Sequence, residues 1–332
     1  TVAAAAAGTV YDHSSAYINT TTTADATADS TTLSAVATAS DTARAIITVR
    51  QYSSTDTATA MTDAASKAVT VAVSGAGSVG LTAATRGPSA SVAAGTASSH
   101  GGSESTTGTQ AFFLYSDGRS GTATVTVSVN GSVVSTKTFT FTGTTVASYA
   151  ADTTTKFKKI IAVGGTSSQL INGLDSNGNK VAAGAGTIYA TSSDTAIATV
   201  SVSSQTLTVT GVKSGTANIT VCDTAACASA TKTLVIPVKV AKSTAASFTA
   251  AFDQTSYAPG DAMVVTLTVK DADGNLVADG NYSLISGTNK YSKSFQSSSA
   301  VDALVGSIAV AGGVATATAY APASEGAFAV TY

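Results

Sequence analysis

The chain has 332 residues and a net charge of −2, and only 11% of its residues are charged, well below the roughly 25% of an average soluble protein. This net charge does not indicate the excess of basic residues that is typical of nucleic-acid-binding proteins. No apolar run approaches the ~20 residues of a membrane span. Hydrophobic residues make up 44%, so the chain can bury cores, and its length suits two or three domains.

The abundant residue types favour strands over helices. Thr and Val are β-branched and fit pleated, half-buried surfaces, whereas glutamate occurs only at Glu104 and Glu325. Gly, Asn and Asp supply turns, so the sequence predicts an all-β fold. The opening "TVAAAAAGTV" carries no initiator Met. It fits either a chain whose signal peptide has been removed or a fragment of a longer chain.

Residues 1–150 are predicted to form an N-terminal β-sandwich. Its strand candidates are "AIITVR", "AVTVAVSG", "QAFFLYSD", "GTATVTVSV" and "VVSTKTFTFTG", and the Thr-rich tract before them is interpreted as strand, loop or both. The only histidines, His13 and His100, lie in Ser-rich segments. We interpret both as exposed loop residues, and since nucleophilic catalysis needs a base beside the nucleophile, we expect no enzymatic activity.

A dense positive cluster, "KFKK" at residues 156–159, follows the first predicted domain. We interpret it as a solvated linker. The alternative is contact with an acidic cell-wall polymer or with an acidic face of another subunit.

Three stretches begin with Gly and then alternate between two kinds of residue: "GTATVTV" at 121–127, "GTANITV" at 215–221 and "GAFAVTY" at 326–332. Period-two alternation after a glycine predicts a strand with one buried face. The predicted core-facing sets are Ala123, Val125 and Val127; Ala217, Ile219 and Val221; and Phe328, Val330 and Tyr332.

Two turn clusters, "LDSNGNKVAAG" at 174–184 and "VKDADGNLVADG" at 269–280, lie about 95 residues apart. This period suits one β-sandwich per repeat, so we place a second domain at residues 151–241 and a third at 242–332. The segment "DADGN" resembles the start of a calcium loop but lacks the acidic residue that would complete an EF-hand. A plain turn is the first interpretation, and a calcium ion held by Asp271, Asp273 and Asp279 is the alternative.

Cys222 and Cys227 flank a short polar segment between two predicted strands. We predict a disulfide that braces this hairpin, which would imply an oxidising compartment. A metal site would need more ligands than two cysteines, and the spacing is not that of a C-x-x-C redox motif.

Residues 192–221 resemble the bacterial immunoglobulin-like domains of surface proteins. The matching elements are Ser193, Asp194, Ala198 and Val200, followed by Val209, Gly211, Val212, Gly215, Thr216, Ala217, Ile219, Thr220 and Val221. "TLTVKDADGNLVADG" at 266–280 resembles the related invasin-like domains. The resemblance implies tandem immunoglobulin-like sandwiches on a cell surface, and it carries no active site.

The composition and the resemblance together predict an extracellular structural protein that self-assembles into an S-layer, sheath or filament. A near-neutral, Thr-covered surface tolerates close packing against its own copies. One alternative is an adhesin ectodomain whose sandwiches are spacers and whose tip binds a glycan or a protein. Another is a fibre or decoration protein of a virus.

The third predicted domain is short of one strand by comparison with the first two. After its glycine strand at 326–332 no further strand follows, whereas the first two domains add one. We therefore predict an assembly site at Gly326, Phe328, Val330 and Tyr332. Either the natural chain continues past Tyr332, or another subunit donates a strand, for which the N-terminal segment "TVAAAAAGTVYDHSSAYI" at residues 1–18 is the proposed donor.

Overall fold

The structure is a computed structural model that describes residues 11–20, 27–40, 42–53, 67–80, 96–98, 108–154, 156–284 and 306–327. Within these residues it contains 22 β-strands and a single turn of 3-10 helix, Cys227–Ser229, which confirms the predicted all-β fold. Contacts divide the chain into two compact units, residues 1–149 with 172–186 and residues 150–171 with 187–332. The division into three domains stays a prediction. In the described part of the chain, no helix is long and apolar enough to cross a membrane.

The first sandwich has nine strands among the residues that the structure describes. They are β1 (Tyr11–Asn19), β2 (Ser34–Val36), β3 (Ala45–Ser53), β4 (Val69–Gly75), β5 (Ser78–Gly80), β6 (Thr96–Ser98), β7 (Thr109–Tyr115), β8 (Gly121–Val129) and β9 (Ser132–Thr142). One sheet has the order β1-β3-β7-β5, and the other has the order β2-β9-β8-β4-β6. Their inner faces share one core, which includes Ile18, Ile47, Phe112, Phe139 and Phe141.

The middle sandwich is built from eight strands. They are β10 (Ser148–Ala151), β11 (Ile161–Ala162), β12 (Thr166–Leu174), β13 (Tyr189–Ser192), β14 (Ala198–Ser203), β15 (Thr206–Gly211), β16 (Gly215–Cys222) and β17 (Thr233–Ala241). The sheets have the orders β10-β12-β15-β14 and β11-β17-β16-β13. With strands lettered along the chain as A, A′ and B to G, these are A-B-E-D and A′-G-F-C. This is the strand order of an immunoglobulin-like sandwich, so the predicted fold class is confirmed.

The third sandwich has five described strands. They are β18 (Ser247–Phe252), β19 (Ala262–Lys270), β20 (Gly280–Ser283), β21 (Ser307–Val310) and β22 (Val314–Tyr320). Strands β18-β19-β22 form one sheet, and β20-β21 form the other. Their core includes Phe248, Val265, Leu267, Tyr282 and Ile308.

The period-two alternation places side chains as predicted in the first two glycine strands. Ala123, Val125 and Val127 on β8 and Ile219 and Val221 on β16 are fully buried. The backbone of the three repeat-opening glycines also agrees: φ is +135° at Gly121, +155° at Gly215 and +109° at Gly326. L-residues rarely adopt this region, which gives the physical reason for a glycine at the start of each repeat.

Sequence reasoning missed some strands of the first sandwich. Strand β1 covers "YDHSSAYIN", which has no clean alternation of apolar and polar residues, and it pairs antiparallel with β3. His13 therefore lies on a strand, so its interpretation as a loop residue is wrong, while His100 lies outside the described residues. In its described part, the Thr-rich tract contributes the short strand β2, which pairs in parallel with the end of β9.

Candidate functional site

The first aspartate turn is held by the carboxylate of Asp175, which is almost fully buried. Its Oδ1 accepts the N–H groups of Asn177 and Asn179, each at 2.9 Å, and its Oδ2 accepts the N–H of Gly143 at 2.7 Å. A Cβ on Gly143 would lie 2.8 Å from the Cβ of Asp175, so this close approach requires glycine. The predicted turn is confirmed, and it also ties the end of β9 to the segment after β12.

The second aspartate turn, at Asp271, has the same hydrogen bonds within the turn as the first, but it contacts a different part of the chain. Oδ1 of Asp271 accepts the N–H groups of Asp273 at 3.0 Å and Asn275 at 2.9 Å. Oδ2 of Asp271 is buried and has no hydrogen-bond partner within the structure described. The amine of Lys242 forms an ion pair with Asp273 at 2.6 Å. The hydrogen bond to Asp273 is also the main cause of the raised pKa of Lys242.

Asp279 lies at the joint between the middle and third sandwiches. Its carboxylate accepts N–H groups of Lys159 at 2.6 Å, Ile160 at 3.2 Å and Gly312 at 2.6 Å, while its own N–H donates to the carbonyl of Ile160 at 2.9 Å. Beside these bonds Ala278 packs with Ile160 and Ala241 in a small buried cluster. The joint is therefore a fixed contact made by backbone groups of both sandwiches around one carboxylate.

The "KFKK" segment lies at this joint. The backbone N–H of Lys158 donates to Ser167 Oγ at 3.0 Å, and that of Lys159 donates to Asp279. The side chains of Lys156, Lys158 and Lys159 are exposed. Its interpretation as a plain linker missed the backbone bonds to the third sandwich, because a positive cluster in sequence says nothing about its N–H groups.

The structure places the three predicted calcium ligands in different roles. Asp271 holds its own turn, Asp273 pairs with Lys242 and Asp279 holds the joint. Among the described residues, no group of three or more His, Cys, Asp or Glu side chains is arranged to hold a metal ion. Calcium binding stays a prediction.

The two cysteines form the predicted disulfide, with Cα atoms 5.5 Å apart. It links the end of β16 to the short 3-10 helix before β17. Next to it, the carboxylate of Asp223 binds Thr231 Oγ1 at 2.6 Å and Lys232 Nζ at 3.1 Å. The hydrogen bond from Thr231, reinforced by that from Lys232, holds the pKa of Asp223 well below its ordinary value. The β16–β17 connection is thus held by both a covalent and an electrostatic contact.

Replacing both cysteines with alanine is expected to lower the free energy of unfolding of the middle sandwich by about 2 kcal/mol, since the bridge closes a small loop. Urea unfolding of the variant and of the unreduced protein measures the difference. Mass spectrometry without reductant should find both sulfurs bridged in native material, and two free thiols there would contradict the assignment.

The Asp175 turn predicts a pH dependence of stability. Burial raises the pKa of Asp175, but the N–H groups of Gly143, Asn179 and Asn177 outweigh it, so the net pKa lies below its ordinary value of 3.8. A depressed pKa contributes stability above the unfolded value that is lost as the pH falls through the folded value. The melting-temperature gap between wild type and Asp175→Asn should therefore shrink below about pH 4. A gap that stays constant from pH 7 to pH 3 would contradict this.

His13 contacts its sequence neighbour Asp12 and the aromatic ring of Tyr52. Its Nδ1 lies 2.9 Å from Asp12 Oδ2, and its ring stacks on Tyr52 at a centroid distance of 5.0 Å. The hydroxyls of Ser14 and Ser15 bond to Tyr11 and Tyr52 respectively, each at 3.1 Å. Neither serine hydroxyl is bonded to the imidazole in these contacts, so they do not form the nucleophile–base pair of a hydrolase.

The predicted assembly site is described only at its start. Gly326 lines a cavity of about 440 Å³ at one end of the third sandwich, together with Phe252, Tyr257 and Met263. Phe328, Val330 and Tyr332 lie outside the described residues, as do residues 1–10 of the proposed donor segment. Residues 11–18 of that segment lie in β1, which pairs with β3 of the same chain and leaves residues 1–10 as the part that could be donated. Strand donation stays a prediction.

No protein-family model and no curated protein matches the sequence. Among solved structures, the chain is similar to domains 4 and 5 of the S-layer protein SbsC, with 30% identity over 36% of this chain and 65% of that fragment and a TM-score of 0.24. It is also similar to the adhesin FdeC of Escherichia coli, with 16% identity over 96% of this chain and 92% of that chain and a TM-score of 0.30. InvD of Yersinia pseudotuberculosis matches at 17% identity over 96% of this chain and 84% of its own, with a TM-score of 0.27.

The strand order of the middle sandwich establishes the fold. That order defines the chain as a tandem immunoglobulin-like β-sandwich protein. The chain spans 65% of the SbsC fragment, slightly less than two thirds of its length.

Proposed function

We propose that this chain is a structural protein of a bacterial cell surface that self-assembles into a surface layer, sheath or filament. The main support comes from three aspartate carboxylates that accept hydrogen bonds from backbone N–H groups. Asp175 and Asp271 each hold a turn in this way, and Asp279 holds the joint between the middle and third sandwiches. Asp279 thereby fixes the geometry between these two sandwiches, which a regular array requires.

An extracellular location agrees with the disulfide between Cys222 and Cys227, because disulfides persist mainly in oxidising compartments. The S-layer proteins among the similar structures fit the proposal, and the adhesins among them fit its alternative. An adhesin tip would present clustered aromatic side chains. Tyr189 and Tyr320 are exposed, but they lie on strands of different sandwiches.

Electron microscopy of the purified protein tests the proposal. Regular sheets, tubes or filaments at rising protein concentration are the expected result. Dispersed rods at every concentration would overturn self-assembly and favour the adhesin alternative or a viral fibre protein.

Calcium and an acidic cell-wall polymer are proposed as further partners. The buried, unpartnered Oδ2 of Asp271 supports a cation at the second turn, and the exposed lysines of residues 156–159 support the polymer. If calcium binds, excess chelator should lower the melting temperature of wild type and leave Asp271→Asn unchanged. Identical melting curves of wild type with and without chelator would overturn calcium binding.

A further inference from the structure

The outer surface of strands β8 and β9 carries a regular array of hydroxyls, here called the threonine face. Three threonine pairs lie directly opposite each other: Thr122 with Thr140, Thr124 with Thr138, and Thr126 with Thr136. The residues that alternate with these threonines lie on the opposite side of the sheet, where Val125 and Phe139 are buried in the core. The array continues onto β4, where Thr70 lies opposite Ser128 and Ser74 lies opposite Thr124.

The threonine face carries no charge. On β9, Lys137 alternates with the threonines and forms an ion pair with Asp29 at 2.6 Å, with its amine 5.9 Å from the ring centre of Tyr17. The charge of Lys137 is therefore neutralised by Asp29 on the opposite side of the sheet from the threonines. The hydroxyls of these six paired threonines make no side-chain hydrogen bond to any residue that the structure describes, and they are available to a partner. Thr142, at the end of β9, is outside the face and donates to the carbonyl of Ala35.

A comparable surface occurs in the middle sandwich, and a single threonine pair occurs in the third. In the middle one, the outward positions of β12, β15 and β14 align as Thr166, Thr210 and Thr199 and as Ser168, Thr208 and Ser201. There the hydroxyls of Ser168 and Thr208 lie 3.0 Å apart in a hydrogen bond, which shows that such side chains pair with one another. In the third, Thr266 lies opposite Thr316.

A surface of this kind is complementary to itself. A hydroxyl both donates and accepts a hydrogen bond, whereas a charged face would repel its own copy. We propose that the threonine face packs against the threonine face of a second copy of this chain, in a symmetric contact of one sheet on another. This proposal rests on the proposed self-assembly and identifies the surface that performs it.

The size of the face agrees with an array and argues against an isolated dimer. With strands about 4.8 Å apart and a rise of about 3.4 Å per residue, the face measures about 15 by 20 Å, or about 300 Å². A stable interface buries about 800 Å² on each partner. One face therefore binds weakly, and stable association requires several contacts at once.

Charge placed on the face tests the proposal. Thr138 is exposed at the centre of the face, and Thr195 is exposed in a turn of the middle sandwich and serves as the control. Thr138→Lys and Thr138→Glu should each raise the concentration needed for assembly at least about tenfold, because like charges would meet across the contact. Thr195→Lys should assemble as wild type. An equimolar mixture of the two Thr138 variants should regain assembly, since opposite charges then meet. Sedimentation velocity measures all four.

A cysteine variant separates this inference from the proposed function. Oxidised Thr138→Cys should form covalent dimers even below the assembly concentration, and Thr195→Cys should not. If wild type assembles while both charged variants assemble equally well, the threonine face is not the contact and self-assembly stands. If the charged variants assemble normally but lose attachment to the cell envelope, the face binds an envelope polymer and the proposal is overturned. Absence of dimers from Thr138→Cys overturns it as well.

Discussion

Replacing Gly211 with alanine is expected to destabilise the middle sandwich by about 3 kcal/mol, the upper range for overpacking a well-packed core. A Cβ at this position would lie 2.5 Å from the carbonyl oxygen of Ala162 and 2.8 Å from Val240 Cγ1. The neighbouring backbone cannot yield freely, because Gly211 exchanges hydrogen bonds with Gly164 and Gly165 at 2.8 and 3.0 Å. Strand β11 and the end of β15 would have to separate.

Gly164→Ala is the matched control for this substitution. Gly164 has φ of +77°, and the space that an added methyl group would occupy is open, so the change should cost only about 1 kcal/mol of backbone strain. The chain contains no Trp, so amide hydrogen exchange of β15 is the suitable measurement. Equal protection losses in the two variants would show that the contact between Gly211 and Ala162 is not the constraint.

Replacing Asp279 with alanine is expected to release the joint between the middle and third sandwiches. Three N–H groups lose their acceptor at once, and hydrogen bonds to charged groups contribute about 1.5–3 kcal/mol each. Asp279 is only partly buried, so water can replace some of the lost hydrogen bonds. We therefore expect the free energy of unfolding to fall by about 3 kcal/mol. The amides of Lys159, Ile160 and Gly312 should exchange faster, while the core strands of both sandwiches keep their protection.

Asp273→Ala is the control at the same joint. Its ion pair with Lys242 is about half exposed on both sides, at 53% and 50%, and such pairs contribute less than about 1 kcal/mol. Small-angle X-ray scattering should show a wider range of interdomain geometries for Asp279→Ala than for Asp273→Ala. Indistinguishable scattering profiles would mean that the apolar cluster around Ile160 fixes the joint without the carboxylate.

The strands with regular alternation could be predicted from sequence, because a period of two has one physical cause. Strands β8 and β16 each begin with a glycine of positive φ, and their buried residues are identifiable one by one from the alternation. Strand β1 could not be predicted, because "YDHSSAYIN" contains too few apolar residues to show a period.

The joint could not be predicted for a different reason. Asp279 binds backbone N–H groups of residues 159 and 160, which are about 120 positions away. Backbone donors leave no trace in the residue types of a sequence. The same holds for Asp175, whose partner Gly143 is visible in sequence only as a glycine. Both aspartates are recognisable as turn residues, but their longer-range contacts are not.

The parallel pairing of β11 with β17 determines how the middle sandwich responds to tension. Ile161 lies beside Val240 and Ala162 beside Ala241, near the start and at the end of this sandwich. A force applied to the two ends of the sandwich makes β11 and β17 slide along each other. The hydrogen bonds between these strands are then loaded together in shear, and they do not break one after another. Strand β2 has the same relation to the end of β9 in the first sandwich. A layer or thread made of such units would resist stretching along the chain direction, and single-molecule pulling should show a high rupture force for each of the first two sandwiches.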